Sequence, residues 1–307
     1  MVWKRLHSFK NYLGSLLRIY IKSRIGTMKI FVRCLLIWLT GCICFNCAPP
    51  AVRKKNITFE APHKLQLDVY TPEKVETPRP VFVFIHGGRW KTGKKSQYKF
   101  LGRRMANKGV VTVVPDYRLS PSTEYRGATT DVAMALKWTK EHISDYGGDA
   151  NRIYIAGHSA GGHLAALVSL DDHYFDSLNI SNPISGTILI DAFGLDMYGF
   201  LSDESLKKHR TYYAMFGRNP VTWKDGSPLF HLNQYMKPFL IFVGTKSYPV
   251  IYESNKEFFE AVRKYQPDSK PIIEMKKKHI PMMLQFYNSE NRGYEEILTF
   301  LSRSDRK

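Results

Sequence analysis

Gly157-His158-Ser159-Ala160-Gly161 is the stretch on which the reading of this chain turns. An apolar, β-branched run, Arg152-Ile153-Tyr154-Ile155-Ala156, leads into it, and Gly162-His163-Leu164-Ala165-Ala166-Leu167-Val168 leads out with helical character. The order is strand, sharp turn, helix, with a serine at the turn. Glycines two residues either side of the serine have a physical reason: a Cβ there would collide with the neighbouring strand or helix. The bend lifts the hydroxyl above the sheet edge, and the following helix aims its free N–H groups at the same spot. Taken alone, the pentapeptide also fits a glycine-rich loop, so the flanking chain has to decide.

Working outward, the chain alternates strands and helices. Leu65-Gln66-Leu67-Asp68-Val69-Tyr70 alternates as a half-buried strand and is stopped by Thr71-Pro72. Pro80–Ile85 and Val110–Val114 are continuous apolar runs, as expected of strands covered on both faces. A helix is expected from Ala133 to Ile143, strands at Ile184–Phe193, Pro238–Gly244 and Pro271–Met275, and helices at Tyr252–Tyr265 and Tyr294–Leu301. This alternation predicts a doubly wound, mostly parallel α/β sheet. Residues 195–235, rich in aromatics such as Tyr198, Phe200, Tyr212, Phe216 and Trp223, are expected as a small cap at the carboxyl edge of that sheet. Gly88 to Lys95 nearly spells a phosphate loop, but Lys95 stands where a magnesium-binding hydroxyl is required, so a nucleotide site is rejected.

The 307 residues are 44% hydrophobic and 23% charged, enough for one domain of about 250 residues and a leader. The net charge of +18 is uneven. Up to Phe59 there is no Asp or Glu, and eleven Lys or Arg residues lie there. A basic leader fits an anionic membrane better than a nucleic-acid groove. All four cysteines, Cys34, Cys42, Cys44 and Cys47, also precede the domain, which leaves it without a disulfide or thiolate metal site. Residues 28–42 run from Met28-Lys29 through a short apolar stretch to Leu39-Thr40-Gly41-Cys42. They resemble a bacterial lipoprotein signal, which implies cleavage before Cys42, lipidation of that cysteine, a tether to about Lys55, and a globular domain over 56–307 exposed outside the cytoplasm. Met28 then stands as an alternative start to Met1. The competing reading is a signal anchor over Ile30–Phe45, which is short for a span and is broken by Arg33.

Four stretches, in order, carry a family resemblance: His86-Gly87-Gly88-Arg89-Trp90, Pro115-Asp116-Tyr117-Arg118, Asp145-Tyr146-Gly147-Gly148-Asp149, and Gly157-His158-Ser159-Ala160-Gly161-Gly162. Together they resemble the α/β-hydrolase family, in the esterase and lipase branch with the His-Gly-Gly motif that includes acetyl- and feruloyl-esterase-like members. The resemblance runs from about residue 60 to 302. It implies Ser159 as nucleophile, His279 as general base, and the N–H groups of Gly87, Gly88 and Ala160 as oxyanion hole. The implied reaction is hydrolysis of small carboxylic esters through an acyl-enzyme, with no cofactor or metal. A serine hydroxyl is a weak nucleophile until an imidazole takes its proton, and a tetrahedral oxyanion needs fixed donors.

One position departs from the family pattern. The acid is expected three residues after Gly244, where Ser247 stands. Three outcomes are open: Ser247 orients His279 alone; a carboxylate from elsewhere substitutes, with Glu253 and Glu274 nearest in sequence; or activity is weakened or lost. A slow esterase is the expectation, since losing the acid costs serine proteases about 10^4 in turnover and losing the serine about 10^6. The alternatives are an inactive hydrolase-fold lipoprotein that binds a ligand or partner, and a formamidase-like amide hydrolase.

Overall fold

In the computed structural model, which describes residues 51–203, 205 and 211–303, the continuous apolar runs become strands because both of their faces are covered. In β3 (Arg79–Ile85), Val81, Val83 and Ile85 enter one core layer, while Phe82 and Phe84 enter the layer on the opposite side. Complete burial of each such side chain stabilises the fold by about 1.5–3 kcal/mol. The other strands are β1 (Val52–Glu60), β2 (Leu65–Thr71), β4 (Val111–Pro115), β5 (Gly148–His158), β6 (Ile184–Ile190), β7 (Phe239–Gly244) and β8 (Ile273–Met275). They form one sheet in the order β1-β2-β4-β3-β5-β6-β7-β8. β1, β2 and β4 pair antiparallel, and every pairing from β4 to β8 is parallel.

Helices close both faces. They are α1 (Lys99–Asn107), α2 (Tyr125–His142), α3 (Ala160–Leu170), α4 (His173–Asp176), α5 (Met197–Ser202), α6 (Tyr213–Phe216), α7 (Pro220–Asp225), α8 (Pro249–Arg263), α9 (His279–Leu284) and α10 (Arg292–Arg303). α2 and α3 pack on the Val83 side, through residues such as Val132, Leu136, Leu164 and Leu167. Leu101 and Met105 of α1, Met282 of α9, and Tyr294 and Ile297 of α10 cover the Phe84 side. The chain leaves β3 toward β4 and leaves β5 toward β6 on the other side, so a crevice opens at the carboxyl ends of β3 and β5. His86-Gly87-Gly88 and Ser159 lie there.

Two expected boundaries shift. The tether expected to Lys55 gives its last four residues to β1, an edge strand whose Arg53, Lys54 and Lys55 hide its β character in sequence and keep the edge from pairing with other chains. α2 begins at Tyr125, eight residues before Ala133, because polar groups inside its first turns have buried partners. Asp131 there accepts from Arg118 Nε and Nη2 at 2.7–3.0 Å and from the Arg118 N–H at 2.9 Å. The 195–235 region contains α5, α6 and α7 and a 3-10 turn at Pro228–His231. Phe216 and Trp223 pack into the α2–α3 side of the core, and Asp225 accepts from Tyr125 Oη at 2.6 Å.

Candidate active site

The bend between β5 and α3 places Ser159 at φ 54°, ψ −122°, a left-handed conformation that an L-residue adopts only under constraint. The constraint is close packing of backbone. A Cβ on Gly157 would lie 2.1 Å from the carbonyl oxygen of Gly161, and one on Gly161 would lie 2.2 Å from that of Ile85. The Ser159 N–H donates to Ile190 O at 3.2 Å, and its carbonyl accepts from Phe193 N–H at 3.2 Å. The elbow is thus tied to the end of β6.

His279 opens α9 and reaches back to the serine. Its Nε2 lies 2.9 Å from Ser159 Oγ, and its Nδ1 lies 2.6 Å from Asp191 Oδ2. A carboxylate can only accept from the ring, so Nδ1 carries the proton and Nε2 faces the hydroxyl with its lone pair. Asp191 is wholly buried and immediately follows β6, with φ 49°. Its N–H donates to Phe242 O at 2.8 Å. Its carboxylate takes two more donors: Gly244 N–H to Oδ1 at 2.8 Å and Ser247 Oγ to Oδ2 at 2.5 Å.

The acid contact therefore comes from a residue that the spacing rule after β7 does not reach. Ser247 bonds the carboxylate rather than the imidazole. Glu253 lies exposed on α8, and Glu274 is exposed on β8, where it accepts from Tyr252 Oη at 2.7 Å. Neither carboxylate bonds His279. A signal for Asp191 was present: a carboxylate inside the apolar run Thr187–Leu195 must have a partner once buried.

Opposite the serine, Gly87 backs onto the elbow, and a Cβ there would sit 2.8 Å from His158 O and 3.4 Å from Ser159 Cβ. The chain then folds back on itself, with Lys91 N–H and Thr92 N–H both donating to Gly88 O at 3.0 Å. Gly88 takes φ 128°, and a Cβ on it would meet Thr92 O at 2.0 Å. Among the described residues, no backbone hydrogen bond outside the helices and strands uses the N–H of Gly87, Gly88 or Ala160. Ala160 is the first residue of α3, so its N–H has no partner within that helix either.

The loop after β3 is braced from beneath. His86 Nδ1–H donates to Gly87 O at 3.0 Å, Tyr117 Oη donates to His86 O at 2.9 Å, and burial pushes the His86 imidazole down from its usual range. His158 stacks on His279 with ring centroids 4.8 Å apart and donates from Nε2 to His279 O at 3.2 Å. Burial, then the charge of His279, push His158 down to about 4. It is a neutral brace for the catalytic candidate. His163 is likewise pushed down to about 4 by burial, and its Nε2–H holds Gly226 O at 2.7 Å, joining α3 to the residue that follows α7. Lys95 is buried, and its Nζ bonds Asn56 Oδ1 at 2.7 Å and Asp68 Oδ1 at 3.2 Å. Among the described residues, no group of three or more His, Cys, Asp or Glu could hold a metal ion. Cys42 lies outside the described residues.

The isoprenylcysteine alpha-carbonyl methylesterase of Arabidopsis thaliana is 26% identical over 278 residues, covering 82% of this chain and 62% of its own. Esterase LipC of Mycobacterium tuberculosis is 29% identical over 225 residues, covering 69% and 55%. The chain thus spans less than two thirds of the length of these curated relatives. Among solved structures, esterase B of Lactobacillus rhamnosis, with an SN3 inhibitor bound, matches with TM-score 0.68 at 17% identity over 90% of this chain and 98% of that one, a likeness of fold. Thermogutta terrifontis esterase 2 phosphonylated by sarin matches with TM-score 0.61 at 25% identity over 84% and 94%. The BD-FAE family model matches residues 67–262, from β2 through the elbow to α8, and over that span the chain belongs to the BD-FAE family among the α/β-hydrolase esterases.

Proposed function

We propose that the chain is a serine carboxylic ester hydrolase acting on small esters. The observation that carries this is the continuous line Ser159 Oγ, His279, Asp191, at 2.9 and 2.6 Å. Ser159 Oγ attacks the acyl carbon while its proton passes to His279 Nε2. The carbonyl oxygen becomes an oxyanion held by the N–H groups of Ala160, Gly87 and Gly88, each donor lowering the barrier by about 3 kcal/mol. Collapse breaks the C–O bond, and the alcohol leaves with the proton from Nε2. Water then attacks the acyl-enzyme, giving its proton to Nε2, and the acid is released with Ser159 restored. Asp191 fixes the ring with Nε2 free and stabilises the imidazolium at each step.

Short cap helices of four to six residues beside the crevice support a small ester, as does the likeness to proteins named as esterases. With a carboxylate on His279, the expected reason for slow turnover falls away. A fluorophosphonate probe tests the reading: Ser159 is labelled in the folded chain and Ser159→Ala is not. Folded protein that resists the probe, with no hydrolysis of p-nitrophenyl acetate, would leave a binding protein.

We also propose that the leader ends in a lipidation site at Cys42, supported by the basic start, short apolar run and Leu39-Thr40-Gly41-Cys42. Mass spectrometry of the mature N-terminus is expected to find an acylated Cys42. An uncleaved leader would favour the signal anchor.

A further inference from the structure

We propose that the rim around His279 is a docking face for an anionic lipid surface. Eleven large hydrophobic side chains are exposed among the described residues, and five of them fall in two short segments beside the site: Tyr248, Val250, Ile280, Leu284 and Tyr287. Scattered exposed apolar residues are ordinary; a cluster at a site mouth is not. Ile280 directly follows His279, and the Tyr248 ring lies 5.7 Å from the imidazole. Ile280 and Leu284 are four apart on α9 and share its outer face, with Met282 and Met283 turned into the core. Tyr287, half exposed, extends the face by stacking on Phe100 at 3.8 Å.

Charge specifies the occupant. Lys246, Lys276, Lys277 and Lys278 border these side chains, all exposed and none in an ion pair among the described residues. No Asp or Glu occurs from Gly244 to Tyr252 or from Met275 to Asn288. The nearest carboxylates in sequence are Glu253, exposed on α8, and Glu274, which is bonded to Tyr252. Aliphatic and aromatic groups amid unpaired lysines match a headgroup boundary: the apolar groups enter the acyl region and the ammonium groups meet anionic heads. Docked this way, the mouth of the site opens onto the lipid. Only that consequence, ester substrates arriving from a lipid phase, rests on the hydrolase reading.

Hydrogen–deuterium exchange of the full chain tests the docking without reading catalysis. The probes are vesicles of phosphatidylcholine with and without phosphatidylglycerol. Expected is slowed exchange over 246–252 and 279–288 with the anionic vesicles alone, lost in Ile280→Ser/Leu284→Ser. A Lys276→Gln/Lys277→Gln/Lys278→Gln variant weakens the effect by roughly fivefold per lysine, which keeps the test open if the apolar variant does not fold. Protection confined to the first fifty residues would overturn the proposal. So would protection of the rim before vesicles are added, which would make the chain's own leader or a second copy the occupant. Fluorophosphonate labelling, run in parallel, reports separately on the hydrolase reading.

Discussion

Asp191→Asn puts the relay to its hardest test. In the native site, Oδ2 takes the Nδ1–H of His279 at 2.6 Å and the Ser247 hydroxyl at 2.5 Å, while Oδ1 takes Gly244 N–H at 2.8 Å. An asparagine cannot satisfy all three. If its oxygen stays on Gly244, its NH2 faces Nδ1, which must then accept; the ring proton moves to Nε2, and the lone pair that should receive the serine proton is gone. If the amide flips, its NH2 meets Gly244 N–H, and a buried donor is left unpaired at a cost of about 1–3 kcal/mol. The first arrangement removes the working tautomer; the flipped one keeps it only by setting two donors against each other at Gly244, so the first is favoured. The expected loss in kcat is about 10^4, the size seen when the acid of a serine protease is replaced. That equals about 5–6 kcal/mol of barrier. Steady-state hydrolysis of p-nitrophenyl acetate reads it, with Ser159→Ala as the floor at about 10^6 and circular dichroism as the check on folding. Asp191→Ser/Ser247→Asp, which moves the carboxylate across the strand pair, is expected to recover part of the loss. Folded Asp191→Asn within tenfold of wild type would refute the reasoning, because His279 would then be oriented without the carboxylate.

Ser247→Ala removes one donor from a buried carboxylate and lowers kcat roughly tenfold, in line with about 1–1.5 kcal/mol for a lost hydrogen bond. Ser247→Asp, with Asp191 retained, lowers the rate further, since two carboxylates within hydrogen-bond distance cannot both ionise; a faster enzyme in the same assay would contradict this. Gly161→Ala drives a Cβ to 2.2 Å from Ile85 O, so the elbow must move, and a stability loss above about 4 kcal/mol in urea melts is expected together with loss of probe labelling. Acid lowers stability through the buried histidines. Burial pushes His158 and His163 down to about 4, whereas in the unfolded chain each titrates near its ordinary 6.5. Between those values the unfolded state binds protons that the fold refuses, so stability falls as pH drops from 6.5 to 4, by roughly 1.4 kcal/mol per unit per histidine. Urea melts at stepped pH read the slope, and His163→Gln, which keeps a donor for Gly226 O, removes one histidine's share of it; a flat profile would show that neither imidazole is held neutral.

The features that sequence made legible are those written along one segment. Pro80–Ile85 reads as a strand because burial on both faces demands apolar residues throughout, and Gly157–Gly161 reads as a bend because only glycine fits where backbone meets backbone. β1 was hidden because an edge strand needs apolar residues on little of its surface, so Arg53, Lys54 and Lys55 look like tether. Asp191 was hidden for a different reason. Counting residues after β7 applies a rule about one strand, and the acid follows another. β6 and β7 run parallel and adjacent, with Ile190 level with Phe242. The residue that leaves β6 and the third residue after β7 therefore arrive at the same place, and Ser247 Oγ and Asp191 Oδ2 are in contact there. From either strand, a side chain can reach Nδ1 of His279. The site needs one negative charge at that point and has room for one, because a second would repel the first and raise its pKa. Once Asp191 supplies it, position 247 is best filled by a small hydroxyl that donates to the carboxylate. A serine in the acid's customary place is thus what a carboxylate on the neighbouring strand requires.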